Sequence, residues 1–321
     1  MVPYDASFSD YLFELVDEKR IPISRINDAV RRILKLKFKL NLFNVPNTNP
    51  NNYPEFQSKT SVNLSYKAVS ESVTLLKNNK KLLPINQNKK VFITGVASNS
   101  LNYLNGPWSR TWSGQDTIYN DLNKNTILES IRNKIGTENV IFNNGVSFDK
   151  IKDRNKIISD SKNSDIIIVC LGEKPSTERP SDIKQLSFPK SQINLVKTLS
   201  KAKIPIILLL FEGRTLNITE IEPLVDAIIM CYYPGDNSSD AIIDLIYGDI
   251  NFSGKLPYTY HKNLTTTMPY IHTITDRSDN YGGYTDYDPL YQFGYGLSLS
   301  LIHISEPTRQ AEISYAVFCL K

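Results

Sequence analysis

The chain has 321 residues, 40% of them hydrophobic and 22% charged, with 37 basic residues against 33 acidic ones and a net charge of +4. At ~100–200 residues per domain this length allows two domains, and the composition excludes collagen-like, low-complexity and disordered classes. The mixed charge names no partner. The longest apolar runs, such as residues 204–211, fall far short of the ~20 residues a membrane-spanning helix needs.

Residues 11–39 place Ile26, Val30, Ile33 and Leu34 at helical spacing with basic residues opposite, which predicts one or two helices. The stretch from Asn44 to Tyr53 is rich in Asn and Pro, the chemistry of a linker, so a domain boundary is expected there. From residue 65 the pattern alternates. Helices are expected over 67–77, 127–135, 149–161, 191–202 and 239–247, and near-continuous apolar strands at 91–95, 140–142, 165–171, 204–211 and 227–233. Buried strands separated by helices predict an α/β fold, a largely parallel sheet flanked by helices on both faces. In such sheets the ligand crevice lies beyond the carboxyl ends of the strands, which directs attention to the loops after Gly95, Leu171, Phe211 and Tyr233.

Several chemistries find no support. The basic stretch Lys77, Lys80, Lys81, Lys89 and Lys90 has no aromatic residue interleaved for base stacking; it reads as a solvated helix-to-strand connection, with no nucleic-acid partner expected. Cys170 and Cys231 sit in strand-like runs and read as small core residues, and with Cys319 they are too scattered for a disulfide framework. His261, His272 and His303 form no metal-ligand spacing. No phosphate-cradling glycine loop and no Gly-x-Ser-x-Gly elbow occurs, so neither metal nor cofactor is expected.

Two segments remain. The strand ending at Leu171 runs into Gly172-Glu173-Lys-Pro-Ser-Thr177-Glu178-Arg179, an acidic loop that is either a solvated surface loop or the carrier of a catalytic carboxylate at the sheet edge. The two tryptophans of the chain, Trp108 and Trp112, lie in a polar, Gly-containing segment. Their flat faces and polar N–H groups suit stacking on a sugar ring or a base, and equally the covering of a loop hinge.

The order of segments resembles the C-terminal part of glycoside hydrolase family 3 β-glucosidases. The resemblance rests on Met1-Val-Pro-Tyr, Ile26-Asn-Asp-Ala-Val-Arg-Arg-Ile-Leu, Ser72-Val-Thr-Leu-Leu-Lys-Asn78 with Leu83-Pro84, Tyr233-Pro-Gly235, Gly248-Asp249, Ser253-Gly-Lys-Leu-Pro257 and Tyr287-Asp-Pro-Leu-Tyr-Gln-Phe-Gly-Tyr-Gly-Leu-Ser298. It implies that residues 1–44 are the end of a (β/α)8 barrel, 45–64 a linker and 65–298 an α/β sandwich domain. It further implies retaining, exo-acting hydrolysis of terminal β-D-glucosyl residues from a β-glucoside or β-glucan oligosaccharide. Glu178 falls on the family's acid/base position and Glu173, the fallback, nearer the strand end, where it would order the loop. Trp108 and Trp112 match a substrate-stacking pair. Ser176 stands where the family usually has Tyr, and Pro107 where it has Gly. The family's Asp nucleophile lies in a Ser-Asp-Trp segment that occurs nowhere here, so the chain is expected to be a fragment, inactive alone. Glu178 and both tryptophans are expected on one face.

The remaining expectations concern location and ends. Met1–Asp5 has no leader-like pattern, while Asn63, Asn217, Asn237, Asn251 and Asn263 begin Asn-x-Ser/Thr triplets, and the resemblance implies a secreted or lysosomal enzyme. Residues 299–321 resemble translated sequencing-adapter DNA and are expected to be foreign. The competing reading is a non-catalytic α/β module for sugar binding or interaction; a flavodoxin-like nucleotide binder lacks the phosphate loop.

Overall fold

In the computed structural model, residues 5–44, 49–56, 58–263 and 289–299 are described, and the chain divides into two units, Met1–Ser58 and Lys59–Lys321. The first unit holds helices α1 (Ser7–Asp17) and α2 (Ile23–Lys39). Lys37 and Lys39 fall in the last turn of α2, where cations oppose the negative end of the helix dipole. Neither helix has a buried residue, so their apolar stripes remain on the surface.

The second unit opens with α3 (Lys59–Ser72), which gives way to strand β1 (Thr74–Asn78). The helix expected over 67–77 is therefore half strand: Thr74, Leu75 and Leu76 are all buried, which a one-sided helix at this spacing could not achieve. Lys77 is correspondingly no solvated residue, since its Nζ lies 2.9 Å from Glu222 Oε1 and donates to the Glu222 carbonyl at 2.8 Å. The other strands are β2 (Val91–Thr94), β3 (Val140–Phe142), β4 (Ile166–Gly172), β5 (Ile206–Phe211) and β6 (Ala227–Met230). They form one sheet in the order β1-β6-β5-β4-β2-β3, parallel except for the antiparallel edge pair β1–β6.

Strand alternation sends side chains to two separate cores. Ile168, Cys170, Leu209 and Phe211 pack on one face beneath α3, α4 (Leu101–Asn105), α5 (Ile127–Ile135) and α8 (Ser239–Tyr247). Ile167, Val169, Leu208 and Leu210 pack on the other beneath α6 (Arg154–Ser161) and α7 (Lys190–Leu199). Both faces of β4 and β5 are thus covered, which is why those strands read as unbroken apolar runs. Cys170 and Cys231 are free thiols in the core, as their sequence context predicts. Helix α5 starts where predicted because Thr126 and Glu129 close a capping box, Thr126 Oγ1 accepting from Glu129 N at 3.3 Å and Glu129 Oε2 from Thr126 N at 2.7 Å.

Chain order dictates where the crevice opens. After β2 the chain moves outward to β3, then crosses back to β4 on the other side of β2. The β2 and β4 carboxyl ends are therefore a topological switch point, where successive loops leave in opposite directions. Gly95 makes the departure possible: with φ +104°, a Cβ there would stand 2.2 Å from the Cys170 carbonyl oxygen. Residues 289–299 return along the sheet edge, with Leu297 N donating to Leu75 O at 2.8 Å. Leu299, the first residue of the expected foreign tail, is buried and its N–H donates to Asn251 Oδ1 at 2.8 Å. The rest of that tail, with Cys319 and His303, and His272 before it, lies outside the described residues.

Candidate active site

The loop after β2 carries the tryptophans. Gly106 ends α4 with φ +72°, and the backbone from Pro107 to Gly114 closes on itself through Trp108 N to Trp112 O at 3.1 Å. Buried Asn102 donates from Nδ2 to Gly114 O at 2.8 Å, Ser109 Oγ donates to Asn105 O at 2.8 Å, and Arg110 Nη2 reaches Asp236 Oδ2 at 2.5 Å. The loop is thereby fixed to α4 and to the segment after β6. Trp108 and Arg110 hold φ of 59° and 64°, left-handed values that L side chains adopt only when their surroundings enforce them. Both indoles are exposed, Trp108 by 67% and Trp112 by 43%, so neither is a core residue.

The loop after β4 meets them. Gln192 of α7 grips the strand end, its Oε1 accepting from Gly172 N at 2.9 Å and its Nε2 donating to Gly172 O at 2.8 Å. Glu173 follows and is buried: Arg214 Nε lies 2.5 Å from its Oε1, while Gly213 N (3.2 Å) and the Tyr233 hydroxyl (3.4 Å) donate to Oε2. A carboxylate with all these partners is committed to structure. Burial, followed by the Glu173 charge, pushes the Tyr233 phenol well above its ordinary range, so the hydroxyl stays a donor. Glu173 is thus tied to Arg214 and Gly213 of the loop after β5 and to Tyr233 after β6, at the foot of the acidic loop.

Five residues further, Glu178 is exposed, and its Oε1 accepts the Trp112 Nε1–H at 3.2 Å. Its neighbour Thr177 accepts the Trp108 Nε1–H on Oγ1 at 3.0 Å. Gln115 adds a third tie, Nε2 to Pro175 O at 2.8 Å. Two indoles four residues apart thus hold two consecutive residues of the acidic loop, and the structure brings Trp108, Trp112 and Glu178 onto one face. Glu178 has φ +53° and ψ −144°, a conformation close to one used almost only by glycine and costing ~1–3 kcal/mol. The strain falls on an exposed carboxylate of a strand-end loop. Ser176 faces a hollow of about 220 Å³ beneath the loop, lined also by Gln115, Phe148, Ile183, Pro189 and Leu216.

The tyrosine between the loops was not singled out by sequence reasoning as a site residue. The Tyr233 ring fits between Gly106 and Gly213, where added Cβ atoms would come within 2.7 Å and 2.4 Å of it. Arg214 and Gln115 were likewise missed; the position of Arg214 just past the end of β5 was the signal that could have found it. Among the described residues no group of His, Cys, Asp and Glu could hold a metal ion, and no helix is long and apolar enough to cross a membrane.

Comparison with known proteins gives these features a context. A family model described as the glycosyl hydrolase family 3 C-terminal domain matches residues 73–299. The chain is 33% identical over 319 residues to a lysosomal beta glucosidase of Dictyostelium discoideum, covering 93% of this chain and 37% of that protein. It is 26% identical over 344 residues to a periplasmic beta-glucosidase of Salmonella typhimurium, covering 95% and 44% respectively. The solved beta-glucosidase of Listeria innocua in complex with glucose shares the fold, with a TM-score of 0.70 at 24% identity over 90% of this chain and 41% of that one. The chain spans less than half the length of these relatives.

Proposed function

The chain belongs to glycoside hydrolase family 3 through that family's C-terminal domain, and from that premise we propose that residues 65–298 supply the acid/base half of a retaining β-glucosidase active site. The observation that carries this reading is the convergence of Glu178 with Trp108 and Trp112 at the switch point of the sheet. In the proposed reaction Glu178 protonates the leaving glycosidic oxygen while a second carboxylate, ~5–5.5 Å away, attacks the anomeric carbon. Glu178 then takes the proton of the water that hydrolyses the glycosyl-enzyme. The indole faces stack on the apolar face of a pyranose ring, and the Trp112 N–H aims the carboxylate. In this reading the nucleophile is an Asp of a (β/α)8 barrel whose closing helices are α1 and α2; the family resemblance and the chain's coverage of less than half of its relatives' length support it. The substrates are terminal β-D-glucosyl residues of a β-glucoside or a β-glucan oligosaccharide, and the compartment is secretory or lysosomal. The relatives' names and the five Asn-x-Ser/Thr triplets support that placement.

The test is an aryl β-glucoside assay. The chain by itself gives no turnover; joined to a family barrel that carries the nucleophile it does. Glu178→Ala in the joined enzyme lowers turnover ~10²–10⁴-fold, the usual worth of a positioned acid or base, and added azide restores it as β-glucosyl azide. Full activity in Glu178→Ala would refute the acid/base assignment.

A further inference from the structure

We propose that Arg214 is the positioning residue of the Glu178 loop, holding it by both ends. The inference rests on the reading of Glu178 as the acid/base but is tested without it. Arg214 stands in the loop after β5, in Phe211-Glu212-Gly213-Arg214. Its Nε binds Glu173 Oε1 at 2.5 Å and its Nη2 donates to Ser181 Oγ at 2.8 Å. Glu173 and Ser181 bracket Glu178 in the chain, so a single guanidinium ties the two feet of the loop. A planar fork with donors in fixed directions can do this; an ammonium on a flexible stem cannot hold two acceptors in one geometry.

The anchoring matters because of what lies between the feet. Glu178 has a left-handed φ of 53°, and such a conformation persists only when its surroundings over-determine it. From the opposite side the loop is held by Gln115, Trp108 and Trp112. Within the loop, Ser181 N donates to Glu178 O at 2.9 Å, which makes Ser181 the direct link between Arg214 and the strained residue. Arg214 is itself placed from behind: Gly213 N donates to Glu173 Oε2, and the Tyr233 ring lies against Gly213. The carboxyl edge of β5 therefore sets where the carboxylate at the edge of β4 points.

The full chain reports on this directly. Trp108 and Trp112 are its only tryptophans, and both indole N–H groups are bonded to the loop, so intrinsic fluorescence reads loop position. Arg214→Ala is expected to shift the emission to longer wavelength, raise acrylamide quenching and expose the Glu178–Arg179 bond to a glutamyl endopeptidase, with the far-UV circular dichroism unchanged. Arg214→Lys, keeping the charge without the fork, is expected to lie between. If Arg214→Ala folds and keeps wild-type emission and cleavage, the proposal is overturned. If it does not fold, Ser181→Ala decides: it removes only the distal foot, and a shifted emission supports the staple while an unchanged one refutes it. A loss of the glycosidase reading would leave these spectra untouched, so the two failures are distinguishable.

Discussion

The indole N–H of Trp112 donates to Oε1 of Glu178 at 3.2 Å. This bond joins residues from loops on two neighbouring strands, and under the proposed function it would separate two roles of one side chain, a face for stacking and an N–H for orienting the carboxylate. In an enzyme completed by a family barrel, Trp112→Phe keeps a face and removes the donor. It is expected to lower kcat with KM little changed, since under the proposed function the lost interaction acts on the group that would transfer the proton. Trp112→Ala removes both, and KM is expected to rise as well, by about tenfold for each ~1.4 kcal/mol of lost contact. Steady-state kinetics on an aryl β-glucoside separates the cases, and a Trp112→Phe enzyme with only KM altered would sink the orienting role.

Tyr233 packs where there is no spare volume. A methyl group at Gly213 would stand 2.4 Å from its Cε2, and overpacking of this kind costs ~1–3 kcal/mol. Tyr233→Phe keeps the ring and loses the long 3.4 Å hydroxyl contact to Glu173 together with the hydroxyl's interaction with the Gly213 N–H, a change worth ~1 kcal/mol. Urea unfolding should therefore rank Gly213→Ala well below Tyr233→Phe in stability. The reverse order would mean that the hydroxyl, not the ring, holds the loops together.

The buried strands were legible because a sheet covered on both faces leaves unbroken apolar runs, and Ile127–Ile135 and Ser239–Tyr247 were legible because their amphipathic period ends at a glycine in each case. Strand β1 was not. Thr74–Asn78 follows a helix without a turn signal, and its register is imposed by the antiparallel partner β6, with Thr74 opposite Met230; nothing local records that pairing. The same limit applies at the site. Glu178 and the tryptophans could be singled out from motif and loop position, whereas Arg214 becomes meaningful only when the ends of β4 and β5 are side by side. Its two partners lie 41 and 33 residues away in the chain.

Helix α5 offers a local check on the framework behind the tryptophan loop. Thr126 caps it, and its Oγ1 also lies 3.0 Å from Asn99 Oδ1, linking the helix start to the loop after β2. Thr126→Ala is expected to cost ~1 kcal/mol, the usual price of an N-cap, with Thr126→Ser close to wild type. Thermal unfolding of the two variants measures this, and equal losses in both would point to the methyl group rather than the cap.

Glu212, at the end of β5, supplies a pH dependence whose sign can be worked out. The Tyr260 hydroxyl lies 2.9 Å from Glu212 Oε1 and 2.7 Å from the Leu216 carbonyl oxygen. One hydroxyl proton cannot serve two acceptors, so both contacts are hydrogen bonds only if Glu212 is protonated and donates to Tyr260, which donates to Leu216. Burial pushes this carboxyl well above its ordinary range, the Tyr260 contact opposes that, and the Glu173 charge adds to it. Tyr258 and Tyr260, which face Glu212, are pushed up by burial too and contribute no charge near neutrality. The folded state therefore keeps a proton that the unfolded chain releases above ~pH 4.3. Stability that is complete below that pH falls as pH rises towards the folded value, by up to ~1.4 kcal/mol per pH unit. Glu212→Gln carries no titrating proton and is expected to flatten this slope, gaining on the wild type as pH rises above the unfolded value towards the folded one. Urea midpoints across that interval test it; parallel curves for the two proteins would mean that Glu212 is ionised in the fold and that Tyr260 leaves the Leu216 carbonyl without its proton.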